Sequence, residues 1–570
     1  MIRTCLFVAT FLVATGALKI VVFSPDQANS QIIWNRRVSE ELMKAGHDVT
    51  MVIITAMKTD RPAVSIDPNI TVWHIDASVP TKENLEEAIK TMAFEDLPMW
   101  DSRIRGKFQQ MGEIFVQSCE NVLLNKEFMK RLVDAKFDIA FAHMYEYCPI
   151  GLIHYAKIPS WVWLNSGALM DLVAYDVGVP SPPSYVPPLM SDASDEMTFG
   201  QRMKSQIGQI LMPILYPKLI VNPQTALFRK HIDPNFPSLR DLGRQCPLVM
   251  VNSNEFYDLP RPVLHKIVYI GGLGMKKFDA KPLQGEFKAA VDSAKRVVVM
   301  TFGSACDTKL MPDSWKEAFM GAFRRFPDVQ FVLRYAGTDL GDKKPINVLL
   351  SKWIPQADLL QHPKTAALIS HGGYNSLQEA INAGKPIITI PLFGDQPRNG
   401  RIAAKNGFGY LLQKSEISEP NIVAALEAVL NEEKYSNAVV RMNAMLEKKP
   451  VQPEVLLRRW TEFLGEFKQL DNLVPYGTKL SFVQYHNLDV IASLIAIVVG
   501  VLLVTWKVLN AGCYIGELEK FEIGEAIGEQ QKGFRTEKRR PNVSELSRFC
   551  GAPHLSEVEF PSSIIEPQLK

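Results

Sequence analysis

Short apolar runs alternate with longer amphipathic stretches along most of the chain. KIVVFS (Lys19 to Ser24) has the composition of a short buried strand. From about Ser30 to Ala45 the apolar residues recur at helical spacing, Gly46 closes the helix, and DVTMVIIT (Asp48 to Thr55) reads as the next strand. FDIAFAH (Phe137 to His143), WVWL (Trp161 to Leu164), LVMVNS (Leu248 to Ser253) and IVYIGG (Ile267 to Gly272) continue the pattern. It restarts at VVVMTFGS (Val297 to Ser304) and runs on through VQFVLRY, AALISHGG, PIITIP and FGYLL, with helices between. Strands alternating with helices predict parallel α/β units. Two such halves predict doubly wound sheets facing a cleft. A charged segment at about 275 to 290, without apolar periodicity, is the expected linker. After Pro453 a helix rich in Leu, Arg and Trp is expected to run to about Leu470.

Two segments interrupt this rhythm. Gly178 to Met190, GVPSPPSYVPPLM, carries too many prolines for a helix or a central strand and is read as a pocket-shaping loop. Val490 to Trp506, VIASLIAIVVGVLLVTW, contains no charge and is bounded by Asp489 and Lys507. Its seventeen residues approach the ~20 that a membrane span needs, and Trp506 and Lys507 suit the interface. The N-terminus, MIRTCLFVATFLVATGA, has the charge, apolar core and small residues of a secretory signal peptide. Together they predict a type I topology, with residues 18 to about 488 outside the cytosol. The tail after Lys507 lacks a clear period and is expected to be mostly disordered.

Composition narrows the classes. Apolar residues make up 47%, too many for a disordered chain, and a net charge of +2 gives no electrostatic case for nucleic acid. Of seven cysteines, only Cys119, Cys148, Cys246 and Cys306 fall in the oxidising compartment. They are few and far apart, which leaves room for one bridge of unread pairing and no disulfide scaffold. Asn69-Ile70-Thr71 is the one lumenal glycosylation sequon; the match at Asn542 would face the cytosol.

The candidate chemistry lies in HGGYNSLQEAINAGKPIITIPLFGDQPRN, His371 to Asn399. Glycines after a strand let a ligand approach the backbone, and the helix that follows presents free N–H groups to a diphosphate. Asn375 and Ser376 are good helix-cap residues as well, and Glu379 suits either ribose hydroxyls or a capping box. Asp395 and Gln396 leave the next strand at its C-terminal end and suit vicinal hydroxyls. Trp353 and Gln356 offer a face and an edge to a base. A dinucleotide oxidoreductase should carry its glycines after the first strand, and SPDQANSQ has none.

The run from Trp353 to Asn399 closely resembles the donor-binding signature of UDP-glycosyltransferases, and most of all the membrane-anchored UDP-glucuronosyltransferases of animals. SPDQANSQIIWNRRVSEELMKAGHDVT, VNSNEFYDLPRP, IVYIGGLG, TFGS and KLSFVQYHNLDV extend the likeness over roughly residues 18 to 510. The resemblance implies a GT-B fold: two Rossmann-like domains facing a cleft, plus a single C-terminal transmembrane helix. The implied segments are a signal peptide (1–17), an acceptor-binding domain (18–280), a UDP-sugar-binding domain (285–450), a return helix and membrane-proximal segment (451–487), the span (488–507) and a cytosolic tail (508–570). By analogy Trp353 stacks on uracil and Gln356 contacts the nucleoside. His371, Gly373, Asn375 and Ser376 hold phosphates, with Ser304 near the diphosphate. Glu379 bonds ribose, and Asp395 and Gln396 bond the sugar. UDP-glucuronic acid or UDP-glucose is the implied donor, a co-substrate with no cofactor or metal beside it; no Asp-x-Asp occurs. A glucuronate carboxylate would want a cation, for which Arg398 and Arg401 are candidates by position. A small lipophilic acceptor, the endoplasmic reticulum membrane, and homo- or hetero-oligomers with related transferases complete the implied partners. The chain ends IIEPQLK, without a dilysine signal.

The catalytic pattern departs from the family. The usual histidine base falls on Gln31, and glutamine does not take a proton at neutral pH. The usual acid falls on His143, with Glu146 three residues on. Three readings stand: His143 serves as a substitute base; no base exists and acceptors such as amines must already be nucleophilic; or the protein binds nucleotide sugar without turnover and modulates catalytic partners.

Overall fold

A computed structural model describes residues 16–58, 63–80, 93–97, 101–275, 280–303 and 306–529. The signal-peptide residues 1–15, Ser304 and the tail from residue 530 lie outside the described residues.

Residues up to Thr478 form one compact unit, built on two sheets. The first sheet comprises β1 (Lys19–Pro25), β2 (Asp48–Thr55), β3 (Thr71–Asp76), β4 (Ile139–His143), β5 (Ser160–Asn165), β6 (Leu248–Val251) and β7 (Ile267–Tyr269). Their order is β3-β2-β1-β4-β5-β6-β7, and every pairing is parallel. The second comprises β8 (Arg296–Thr301), β9 (Val329–Arg334), β10 (Val348–Ser351), β11 (Thr365–Ser370), β12 (Ile387–Thr389) and β13 (Gly409–Leu411). Its order, β10-β9-β8-β11-β12-β13, is again parallel throughout. Both are doubly wound sheets, as the GT-B resemblance implies. Each reverses direction beside its first strand, between β1 and β4 and between β8 and β11, and a switch point of that kind opens a crevice at the strand C-termini.

Strand residues alternate between two buried faces, which explains the near-continuous apolar runs. In β1, Val21 and Phe23 face one core and Ile20 and Val22 the other. In β8, Val298 and Met300 face one layer and Val297 and Val299 the other.

Helices α1 (Asn29–Lys44), α2 (Ser102–Leu124) and α3 (Cys148–Tyr155) belong to the first half. Helix α1 ends where Gly46 takes φ +92°, a left-handed value that glycine adopts without strain. The expected linker runs into α4 (Gly285–Ser293), of which only Val291 is fully buried. With only Val291 and the partly buried Phe287 packing inward, it has too few apolar positions to impose a periodicity on the sequence. Helices α5 (Tyr374–Asn382) and α6 (Gln396–Lys405) follow β11 and β12. Helix α7 (Pro453–Phe467) returns to the first half, where Leu457 and Leu464 join the core beneath β1. The proline-rich segment is irregular, as expected. Cys119 on α2 and Cys148 at the start of α3 form the disulfide, while Cys246 and Cys306 are buried and free.

The second unit begins at Lys479. Its main element is α8 (Leu488–Glu529). Among the described residues it is the one helix long and apolar enough to cross a membrane, over Leu488–Gly524, with its side chains exposed. The expectation of a disordered tail is corrected for residues 508–529, which continue this helix. No proline lies between Trp506 and Glu529, and the helix accommodates Gly512, Gly516, Gly524 and Gly528.

Candidate active site at the crevice between the two sheets

The crevice of the second sheet is made by the turns after β8 and β11. Gly303 follows β8 at φ +75°, and its amide donates to Thr301 Oγ1 at 3.1 Å. His371 follows β11, with Nδ1 3.2 Å from Ser370 Oγ. A Cβ on Gly303 would stand 2.8 Å from the imidazole, and one on Gly373 would stand 2.5 Å from it. The two glycines therefore leave just the room that the ring fills. Burial pushes His371 down to about 4, so it is neutral at physiological pH. Gly372, at φ +78°, turns the chain, and its carbonyl accepts from Asn399 Nδ2 at 2.9 Å.

Helix α5 then starts at Tyr374 with Gly373 as its N-cap and no side-chain cap. This corrects the capping alternatives. Asn375 and Ser376 lie inside the first turn, and Glu379 is the sixth helical residue, beyond the reach of a capping box. The uncapped N–H groups of the first turn stay available to an anion. Gln356 donates to Glu379 Oε2 at 2.8 Å and to Ser376 Oγ at 3.2 Å, while Arg37 of α1 lies 3.6 Å from Glu379 Oε1. Trp353 is 55% exposed, with the Arg334 guanidinium 5.2 Å from its ring centroid. An open indole face beside a cation suits a planar ligand.

Asp395 accepts from Asn399 Nδ2 at 2.9 Å, and burial raises its carboxyl above the usual range. Gln396 turns its carbonyl inward, accepting from the amides of Leu392 at 2.8 Å and Phe393 at 3.1 Å, so only its NH₂ remains for a ligand. Arg398 is not a free cation. It is buried and paired with Asp258 through Nη2 at 2.6 Å, while Nη1 has no hydrogen-bond partner. Arg401 donates through Nε to the Asp192 carbonyl at 2.8 Å.

Across the crevice, Gln31 lies in the first turn of α1, at the switch point of the first sheet. Ser30 beside it touches the donor half directly, its carbonyl accepting from Asn375 Nδ2 at 3.4 Å. His143 ends β4 at the same switch point but is only 3% exposed. Its Nδ1 accepts from the Tyr145 amide at 3.3 Å, and its Nε2 lies 3.7 Å from Glu146 Oε1. Burial pushes His143 down to about 3 and Glu146 up to about 8, so both are neutral near pH 7. Gln224 donates to the other Glu146 oxygen.

Residues outside the sequence reading hold the two halves together. Gln378 of α5 donates to Asn252 Oδ1 at 3.0 Å and to Tyr257 Oη at 2.9 Å, and Ser253 Oγ bonds the Tyr374 hydroxyl. The VNSNEFYDLP segment was legible as family-like, but not as this seam. Among the described residues, no three His, Cys, Asp or Glu side chains gather as a metal site. Asn69 is exposed, with its side chain bonded to Asp67 Oδ1 at 2.9 Å.

The family model of UDP-glucoronosyl and UDP-glucosyl transferases matches residues 19–519. The chain belongs to that family. It is 30% identical to UDP-glucuronosyltransferase 2B23 of Macaca fascicularis, over 85% of this chain and 93% of the relative. It is 28% identical to UDP-glucuronosyltransferase 1A8 of Rattus norvegicus, over 89% and 94%. Among solved structures, the glycotransferase of kitacinnamycin superposes with a TM-score of 0.53 at 15% identity, over 79% of this chain and 99% of that one. CalG4, the calicheamicin glycosyltransferase, gives 0.51 at 16%, with the same coverage. These likenesses show the GT-B fold.

Proposed function

We propose that the chain is a membrane-anchored UDP-sugar transferase. It moves glucuronic acid or glucose, with inversion, onto a small lipophilic acceptor that is already nucleophilic. The observation that carries this is the pairing of an open anion cradle with a wall that has Gln31 at the position of the usual base. The uncapped start of α5, the His371 slot and exposed Trp353 lie on one side, and Gln31 lies on the other. Trp353 and Gln356 take the nucleoside, Glu379 the ribose, His371, Gly373, Asn375 and Ser376 the phosphates, and Asp395 with the Gln396 NH₂ the sugar. Ser304 is assigned near the diphosphate from sequence alone.

The wall lacks the usual histidine base, and the group there nearest to neutrality, Glu146, is buried with one oxygen bonded by Gln224. Gln31 is an amide. His143 is buried against Glu146 and takes a second proton only below about 3. A general base contributes ~10²–10⁴-fold to transfer from a hydroxyl. An amine attacks as the neutral species and needs no such help, so amines are the favoured acceptors. The same wall supports a second reading, a nucleotide-sugar binder that modulates partner enzymes. An oxidising, lumenal setting fits the Cys119–Cys148 disulfide, and anchoring through α8 fits its exposed apolar surface. The endoplasmic reticulum and self-association remain proposals of the resemblance, and Asn69 glycosylation a proposal of its sequon.

The test is UDP release by membranes carrying the full chain. UDP-glucuronic acid and UDP-glucose are each supplied with one phenol and one aromatic amine, beside Gln31→His and Asp395→Ala/Gln396→Ala variants. Release with the amine, lost in the double variant, is the expected result. Silence with every pair, while UDP still binds, would hand the case to the non-catalytic binder.

A further inference from the structure

The helix Phe199–Tyr216 is amphipathic in the reverse of the usual sense. Its polar residues face the protein. Ser205, only 2% exposed, and Gln209 both donate to the Val186 carbonyl of the proline-rich segment, at 3.5 and 3.3 Å. Gly208 lies so close to that segment that a Cβ would stand 2.9 Å from Pro188 Cγ. Tyr216, the last residue, bonds the Tyr145 carbonyl. The apolar residues face away. Phe199, Met203, Ile207, Ile210, Leu211 and Ile214 follow the spacing of one helix face and are between 42% and 73% exposed. A helix on a soluble protein turns such a face toward the core. Here the proline-rich segment takes the polar face and leaves the apolar one open.

Two observations identify what covers it. The first is charge. The helix carries two charged residues, Arg202 and Lys204, both exposed and both cationic. At about 3.6 residues per turn they fall on opposite edges of the apolar face. Cations flanking an apolar face suit a helix lying in a bilayer interface, where their stems rest on lipid and their charges reach the phosphates. Two copies of this face would instead set cations against cations, with no acid on either helix to pair them. The second is the path of the chain. The helix Asp171–Asp176 packs against the apolar helix. Just beyond it, a Cβ on Gly178 would stand 2.7 Å from Pro475 Cγ and 2.9 Å from Thr478 Cγ2. Thr478 is the last residue of the first unit, so the chain leaves that unit one short helix away from the apolar one. The apolar helix α8 begins at Leu488, ten residues on, which holds the exit within about 35 Å of the bilayer.

We infer that the helix Phe199–Tyr216 is a second membrane contact, lying in the phospholipid interface with Phe199, Ile207 and Ile214 toward the acyl chains and Arg202 and Lys204 at the phosphates. The proline-rich segment is its seat. By satisfying Ser205 and Gln209 on the protein side, the Val186 carbonyl lets the helix offer apolar area to lipid without stranding polar groups there. The inference takes from the anchored reading of α8 only the nearness of the bilayer, and it does not depend on turnover.

The full chain is reconstituted in phosphatidylcholine vesicles doped with a phosphatidylcholine that carries a diazirine in one acyl chain. After irradiation, labelled residues are mapped by peptide mass spectrometry. Labels are expected within Val490–Trp506 and on Phe199, Met203, Ile207 and Ile214, with none on Ser205 or Gln209. Ile207→Glu/Ile214→Glu should lower labelling of the helix at least tenfold and leave that of the span within twofold, with an unchanged thermal midpoint as the check on folding. Should that variant fail to fold, the pattern of labels in the native chain decides. A labelled span beside a bare helix would overturn the inference alone, whether the helix is then open to water or cross-linked to the same helix of a second copy. Even labelling around the helix would overturn it too, because a seated helix shows lipid one face. Absence of label from the span as well would overturn the anchored reading of α8 and this inference with it.

Discussion

Arg398 Nη2 donates to Asp258 Oδ1 at 2.6 Å, and both side chains are about 7% exposed. Asp258 comes from the segment after β6 and Arg398 from α6, so the pair ties the two halves together behind the crevice. Asp258 is held in turn by Ser253 Oγ at 2.6 Å. Removing one member of a buried pair strands the other charge, at roughly 3–5 kcal/mol. Asp258→Ala is therefore expected to lose about that much stability, and the double change Asp258→Leu/Arg398→Met to recover most of it, in urea unfolding of the detergent-solubilised chain. The ratio of turnover with UDP-glucuronic acid to that with UDP-glucose should not change. A shifted ratio at native stability would return Arg398 to the role of a sugar reader.

The imidazole slot gives a second expectation. Gly373 has ordinary backbone angles as the N-cap of α5, so its need for glycine is purely spatial. A methyl there would meet His371 Nε2 at 2.5 Å. Gly373→Ala should push the ring out of place at the start of α5 and weaken UDP binding at least tenfold by calorimetry. The thermal midpoint should move little, because the collision lies at an open crevice and not in a core. An unaltered UDP Kd would show that the ring position does not matter to the nucleotide.

How much of this was readable beforehand depends on the kind of interaction. Strands such as β1 and β8, buried on both faces, announce themselves as unbroken apolar runs, and the strand–glycine–helix order at His371 places a crevice without coordinates. β3 was missed because TVWHID alternates with exposed Thr71, His74 and Asp76, and β10 because it is four residues long and only Val348 is fully buried. Asn375 and Ser376 have the chemistry of caps, and only the backbone at Gly373 shows that they are not. The pairing of Arg398 with Asp258, across 140 positions of chain, leaves no local pattern at all. Nor does the 2.6 Å contact of the Tyr145 hydroxyl with Ser166 Oγ, which depends on β4 and β5 ending side by side.

The disulfide joins residues 29 positions apart and fastens α2 to the start of α3, just after Glu146 and Tyr147. A cross-link of that span restrains the unfolded chain, with a typical effect of about 2–4 kcal/mol. Cys148→Ser should lower stability by that order, and native protein under reductant should behave alike. Peptide mapping should recover Cys246 and Cys306 as free thiols before reduction. Recovery of Cys119 free in the native chain would remove the bridge.

The buried His143–Glu146 pair makes a prediction about pH in which two effects run in opposite directions. His143 and His371 are pushed from 6.5 to about 3 and about 4. Between those values and 6.5 the unfolded chain binds protons that the folded chain refuses, so stability falls as pH drops through that window. Glu146 is pushed from 4.5 to about 8. Between 4.5 and 8 the folded chain holds a proton that the unfolded chain has released, so stability falls as pH rises there. From 4.5 to 6.5 the two histidines outweigh the one glutamate by a single proton, so native stability should still rise with pH there, less steeply than without Glu146, and should decline from 6.5 toward 8. Glu146→Gln keeps an oxygen for Gln224 and removes the titration. Its stability should gain on the native chain steadily from pH 5 to pH 8, as followed by thermal unfolding in buffers of constant ionic strength. Parallel curves for the two proteins would mean that Glu146 is already ionised in the folded state. His143 would then face a carboxylate 3.7 Å away, and its case as a base would reopen.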